Sequence, residues 1–113
     1  MNKYHNDKVS EDGIVFDSKA ERRRYRELKL MEQAGEITNL RLQPEYELIP
    51  KYTKNGKTVR AVKYRADFLY RDRQGHVIVE DVKGVKTDVY RLKKKIFEYK
   101  YPDLTIKEIN YHG

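Results

Sequence analysis

The fold turns on Arg65-Ala66-Asp67-Phe68-Leu69-Tyr70-Arg71-Asp72-Arg73-Gln74-Gly75-His76-Val77-Ile78-Val79-Glu80-Asp81-Val82-Lys83-Gly84, two apolar runs joined by a polar, glycine-containing turn. Branched and aromatic residues at alternating positions suit a half-buried strand, and Asp72-Arg73-Gln74-Gly75 carries turn chemistry. The pattern predicts an antiparallel hairpin of strands 59–71 and 77–83. With a period of two, Val62, Tyr64, Ala66, Phe68 and Tyr70 are expected on one face. Lys63, Arg65, Asp67, Leu69 and Arg71 are expected on the other. In the second strand Val77, Val79, Asp81 and Lys83 share a face. A five-residue loop places Asp81 opposite Asp67, whereas a four-residue loop places Glu80 there, and a one-residue slip exchanges the faces.

Upstream of the hairpin, Asn55-Gly56 is a strong tight-turn signal. Before it, Leu40, Leu42, Tyr46 and Leu48 alternate on either side of Gln43-Pro44, predicting an interrupted strand. Ser18 and Glu21 fit a capping box that opens a helix running to about Ala34, stopped by Gly35. On that helix Ala20, Leu28 and Met31 share one side, with Glu21 at its margin near Tyr25. Residues 1–15 show no sustained period and read as a mobile arm, leaving 16–113 as the domain. Downstream, a helix is expected from about Thr87 to Tyr99, with Val89, Leu92, Ile96 and Tyr99 as its core stripe. Arg91, Lys94 and Lys95 fall on its far side. Leu104 to Ile109 forms a last strand, parallel to the third because a helix carries the chain back across the sheet. The order is αβββαβ, a single domain of the α/β (α+β) class with a mixed sheet flanked by helices.

Size and charge narrow the function. At 113 residues the chain holds one ordinary domain. Its 25 Lys and Arg against 18 Asp and Glu give a formal net charge of +7, which favours polyanionic partners, nucleic acid foremost. Neither a long apolar run nor the apolar stretch of a secretory signal occurs, so no membrane partner is expected. The absence of cysteine excludes disulfides and thiolate metal sites and is compatible with a cytoplasmic setting. His5, His76 and His112 have no zinc-like spacing and read as surface histidines.

Chemistry concentrates in the hairpin. Aspartate is poorly suited to mid-strand, yet Asp67 falls there, with Asp81 and Lys83 at the end of its partner. Two aspartates on adjacent strands can reach one hard divalent cation such as Mg²⁺. An ammonium two residues on can orient water or offset charge building on a phosphate. Each residue also has a plainer reading. Glu21 can simply cap, Asp67 can pair with Arg65 or Lys83, Asp81 can cap the next turn, and Lys83 can be solvated. Basic residues on helix faces usually only solubilise. Gln43 can face the site or occupy a kink, and Tyr64 reads as core. Glu80 remains the rival ligand.

Taken together, Arg65-Ala66-Asp67-Phe68, Asp81-Val82-Lys83-Gly84 and Phe16-Asp17-Ser18-Lys19-Ala20-Glu21 resemble the motifs of the PD-(D/E)XK nuclease superfamily, with Ala66 where its signature has proline. The element order over residues 14–110 is similar too, a restriction-endonuclease-like core. More narrowly, the series resembles phage endonuclease I type Holliday junction resolvases and small phage and prophage proteins related to them. The resemblance implies metal binding by Asp67 and Asp81, with the Val82 carbonyl completing the shell and Glu21 holding a second ion or a water. It implies that Lys83 positions the nucleophile, and that Arg22, Arg23, Arg24, Arg91, Lys94 and Lys95 contact phosphates. The expected activity is hydrolysis of DNA phosphodiesters, at branched DNA such as Holliday junctions, with Mg²⁺ or Mn²⁺ as substitute. A homodimer in the cytoplasm of a bacterial host is implied as well. The alternatives are a nuclease-like fold that binds nucleic acid without cutting it, and a nicking nuclease of a phage or mobile element.

Overall fold

In the computed structural model, which describes residues 8–110, helix α1 (Lys19–Gln33) starts where the capping box sits. The Ser18 hydroxyl accepts from the Glu21 amide, and the Glu21 carboxylate accepts from the Asp17 amide. At the other end Gly35 adopts φ +76°, and the Glu36 amide reaches back to the Met31 carbonyl at 2.8 Å. That left-handed position needs a residue without Cβ, and the return bond satisfies a carbonyl the helix leaves open.

The chain is a single α+β domain. Its strands are β1 (Val9–Glu11), β2 (Ile14–Phe16), β3 (Thr38–Leu42), β4 (Glu45–Ile49), β5 (Tyr52–Lys54), β6 (Lys57–Val59), β7 (Val62–Arg65), β8 (Phe68–Arg71), β9 (Val77–Lys83) and β10 (Ile106–Asn110). The central sheet runs β10-β9-β8-β3, with β10 parallel to β9 and the other pairs antiparallel. Helix α2 (Asp88–Lys100), capped by Thr87, supplies the crossover between β9 and β10. Together α1, β3, β8, β9, α2 and β10 reproduce the expected αβββαβ order, with β4 to β7 as an excursion between β3 and β8.

Each face of the sheet has its own core. Phe68, Tyr70 and Val82 pack with Phe16, Tyr25 and Leu28 on the α1 side, while Val79 and Ile106 pack with Tyr90 and Phe97 on the α2 side. Strict alternation along β9 sends Val79 one way and Val82 the other.

Three expectations need correction. Strand 59–71 is not continuous: it divides into β6, β7 and β8, bending at Ala66-Asp67 opposite a second bend at Gln43-Pro44. The two bends are tied together, the Gln43 amide donating to the Asp67 carbonyl at 2.9 Å and the Ala66 amide to the Pro44 carbonyl at 3.0 Å. Gln43 takes φ +53°, and past this corner β4 and β7 leave the sheet to lie against α2. Consequently Tyr64 and Ala66 enter the α2-side core while Phe68 and Tyr70 enter the other, although their spacing assigns all four to one face. Gln43 thus occupies a kink, its side-chain amide donating to the Val15 carbonyl.

The fully buried residues of α2 are Tyr90 and Phe97; of the expected stripe Ile96 packs against the core, half-buried, whereas Val89, Leu92 and Tyr99 are exposed, Tyr99 at 87%. Aromatic stacking decided this. Phe97 lies 4.9 and 5.4 Å from the Tyr46 and Tyr64 rings, which the β4–β7 excursion brings over the helix, and 5.1 Å from Tyr101 at the end of α2 itself. Finally, part of the expected arm is ordered: β1 and β2 form a hairpin through Asp12 and Gly13, fastened to α1 by Tyr25 to Asp12 and Arg26 to Glu11. The remainder, residues 1–7, lies outside the described residues, as does His112.

Candidate active site

The turn 72–76 contains five residues, and the β8–β9 register pairs Phe68 with Glu80 and Arg71 with Val77. Continued one step, this register sets Asp67 opposite Asp81. Asp67 occupies the bend itself, where the chain is about to leave the sheet, and its Oδ2 accepts from the Val82 amide at 2.7 Å. At the bend the backbone of Asp67 stays bonded on both sides, its amide to the Glu80 carbonyl at 3.1 Å and its carbonyl to the Gln43 amide, while its carboxylate turns along β9.

Around Asp67 the carboxyl groups converge. Glu21, at the N-terminal turn of α1, lies within hydrogen-bonding reach, and Asp81 adds its charge from β9. Burial comes first among the causes that raise the Asp67 carboxyl from its ordinary value near 3.8 to about 10, followed by the bond to Glu21 and the charge of Asp81. A carboxyl so placed keeps its proton at neutral pH, which relieves repulsion among three acids in a low-dielectric site.

Asp81 is buried and doubly held: Tyr64 donates its hydroxyl to Oδ2 at 2.5 Å, and the Lys83 ammonium stands 3.2 Å from Oδ1. The same ammonium lies 4.0 Å from the centre of the Tyr90 ring, a cation–π contact that limits its swing. Tyr90 is fixed in turn by its hydroxyl bond to Glu108. Burial, followed by the Asp81 charge, raises the Tyr64 phenol so far that it stays a hydrogen-bond donor. Neither plain reading of Asp67 holds, because Arg65 pairs with Asp17 and Lys83 with Asp81. Asp81 does not cap the next helix either, a task Thr87 performs.

Glu80 points the other way. Fully buried, it takes two bonds from Arg24, Nε at 2.7 Å and a terminal nitrogen at 2.9 Å, and a third from the Tyr70 hydroxyl. The rival ligand is therefore engaged beneath the sheet, on the α1 side. Arg24 correspondingly leaves the set of expected phosphate contacts, since its guanidinium is committed to Glu80. A signal for this existed in the sequence: Ala20, Arg24 and Leu28 are spaced four apart, so Arg24 falls within the inward stripe of α1. An arginine there and an acid on the inward face of β9 are natural partners.

Of the other expected contacts, Arg22 is half-buried and Arg23 exposed on α1, whereas Arg91 and Lys95 are exposed on α2. Lys94 shares Glu108 with Lys86. His76 sits in the surface turn beside Asp72.

Oxygen donors on Asp67, Asp81 and Glu21 match the preference of a hard divalent cation. Among the described residues, no three histidine or acidic side chains already surround one point at ligand distance. No buried side-chain polar atom lacks a partner among the described residues, and no described helix is long and apolar enough to cross a membrane.

Paired acids facing each other across a hairpin, with a lysine two residues beyond, define a charged centre on an α+β scaffold. The chain belongs to the family described as protein of unknown function DUF1064, whose model matches residues 1–112. No curated protein and no solved structure matches it.

Proposed function

We propose that this protein is a metal-dependent endodeoxyribonuclease that hydrolyses DNA phosphodiesters, acting on branched DNA such as Holliday junctions. The observation that carries this reading is the facing of Asp67 and Asp81 across β8 and β9, with Lys83 paired to Asp81 and Glu21 beside Asp67. Its motif resemblance to PD-(D/E)XK nucleases supports the same chemistry, as does a net charge of +7.

In this reading Asp67, Asp81 and the Val82 carbonyl would hold Mg²⁺, or Mn²⁺ in its place, and Glu21 would hold a second ion or a water. The bound cation would polarise the phosphate and lower the pKa of the attacking water. To serve as a ligand Asp67 would have to release its proton to solvent. Tyr64 keeps Asp81 oriented through its hydroxyl. Lys83, braced by Tyr90, directs its ammonium at the nucleophile or at the charge developing on phosphate. Arg22, Arg23, Arg91, Lys94 and Lys95 are positioned to add backbone contacts, and a homodimer would present two such centres to a junction.

The convergence of acids without three ready-made ligands favours a second reading, a nucleic-acid-binding protein that does not cut. One experiment separates the two. The protein and its Asp81→Asn variant are incubated with Mg²⁺ and a four-way junction, a linear duplex, a nicked duplex or a single strand. Cleavage lost in the variant while binding persists supports the nuclease, and the preferred substrate distinguishes a resolvase from a nicking enzyme. Binding with no cleavage under Mg²⁺ or Mn²⁺ sinks it.

A further inference from the structure

Beside the acidic centre lies an open groove of about 460 Å³ between β7 and the first turns of α2, lined by Lys63, Tyr64, Arg65, Lys83, Tyr90 and Lys93, with Glu45, Thr87 and Val89 at its margins. The geometry points to this groove as a phosphate track, holding the nucleic-acid backbone next to the bond that reacts. The inference rests on the nuclease reading and gives its substrate a path.

Continuity is the first argument. Lys83, Tyr64 and Tyr90 belong both to the groove and to the surroundings of Asp81, so a strand lying in it passes the reactive centre. Charge is the second: four cations, Lys63, Arg65, Lys83 and Lys93, face one carboxylate, Glu45. The ion pairs that engage Lys63 and Arg65 are exposed, Lys63 to Glu45 at 3.5 Å and Arg65 to Asp17 at 2.8 Å. Such pairs contribute little and exchange readily for a phosphate.

Local structure sets the spacing. Lys63 and Arg65 flank the buried Tyr64 on β7, so the alternation that aims Tyr64 at Asp81 leaves its two neighbours exposed, about 6–7 Å apart along the strand. The anion preference comes from these side chains, since the Thr87 hydroxyl is occupied in capping α2. By contrast, the groove formed by Lys86, Arg91, Lys94 and Lys95 also contains Glu98 and Glu108. Glu108 engages Lys86 and Lys94, which makes that surface a weaker claimant for phosphate.

The test is duplex and four-way-junction binding by the full chain without divalent metal, measured across a salt series for the wild type and for Lys63→Ala/Lys93→Ala. Lys29→Ala/Lys107→Ala, two lysines outside the groove and outside the proposed contacts, serves as the comparison, and circular dichroism checks that each variant is folded. Loss of two phosphate contacts lowers the salt slope by about 1.8 and weakens binding about 30-fold at 0.15 M salt. The comparison variant should lose far less. Wild-type cleavage with unchanged binding in Lys63→Ala/Lys93→Ala overturns the groove and leaves the nuclease reading. Groove-dependent binding with no wild-type cleavage leaves the groove as a nucleic-acid site and overturns the nuclease reading. Absence of any wild-type binding overturns both.

Discussion

Replacing Arg24 by alanine separates a structural arginine from a DNA-contacting one. The Glu80 carboxylate is 0% exposed, and Arg24 supplies two of its three bonds. Removing one partner of a buried pair strands the other charge in low dielectric at a cost of about 3–5 kcal/mol. This is a large share of the roughly 5–15 kcal/mol that holds a small domain together. In urea, with m of about 1.5 kcal/mol/M for a chain this size, the midpoint should fall by about 2–3 M. Adding Glu80→Gln to Arg24→Ala removes the stranded charge and should recover part of the loss. Arg24→Lys should fall between the two, because an ammonium keeps the charge but not the two-pronged fit. Denaturation followed by far-UV circular dichroism, with DNA binding measured on the same preparations, provides the assay. A loss of stability under about 1 kcal/mol in Arg24→Ala, a midpoint shift under about 0.7 M, with no recovery on adding Glu80→Gln, would refute the reasoning. That result, accompanied by weakened DNA binding, would return Arg24 to the phosphate-contacting set.

Three other outcomes are expected. Tyr64→Phe removes the hydroxyl bond to Asp81 and should reduce Mg²⁺ affinity or cleavage about 10–100-fold with DNA binding intact, and unchanged cleavage would argue against its orienting role. Because Asp67 keeps its proton in the folded chain up to about pH 10 but releases it near pH 4 when unfolded, its contribution to stability is full below pH 4 and declines as pH rises through that window. Without divalent metal, the wild type should therefore lose more stability than Asp67→Asn between pH 5 and pH 8, by no more than about 1.4 kcal/mol per pH unit, and identical slopes in urea titrations would contradict this. Phe97→Ala should cost about 3–5 kcal/mol and Leu92→Ser less than about 0.5 kcal/mol, the reverse of what helical spacing alone suggests, as thermal or urea unfolding would show.

Local rules made much of the fold legible. Ser18, Glu21 and Gly35 delimit α1 because caps and a left-handed stop depend on adjacent residues only. Asn55 and Gly56 both adopt positive φ in the two-residue turn between β5 and β6, as their chemistry requires. The facing of Asp67 and Asp81 was one of two open registers, and the five-residue turn decided it.

What depended on distant residues was not legible in the same way. The α2 stripe holds only at Ile96: Val89, Leu92 and Tyr99 share its helical spacing, but spacing cannot say which face meets an aromatic cluster delivered from β4 and β7. Likewise, alternation assigned Tyr64 and Phe68 to one face, and only the paired bends at Gln43-Pro44 and Ala66-Asp67 sent them to opposite cores. The sequence by itself determined the αβββαβ order of the core, the helix caps and tight turns, and the acids and lysine of the hairpin, since these follow from local propensity and period. Tertiary structure alone decided that Glu80 faces Arg24 rather than the acidic centre, and that Tyr64 and Tyr90 hold Asp81 and Lys83. Those contacts join residues far apart in the chain, and their geometry exists only once both helices have closed over the sheet.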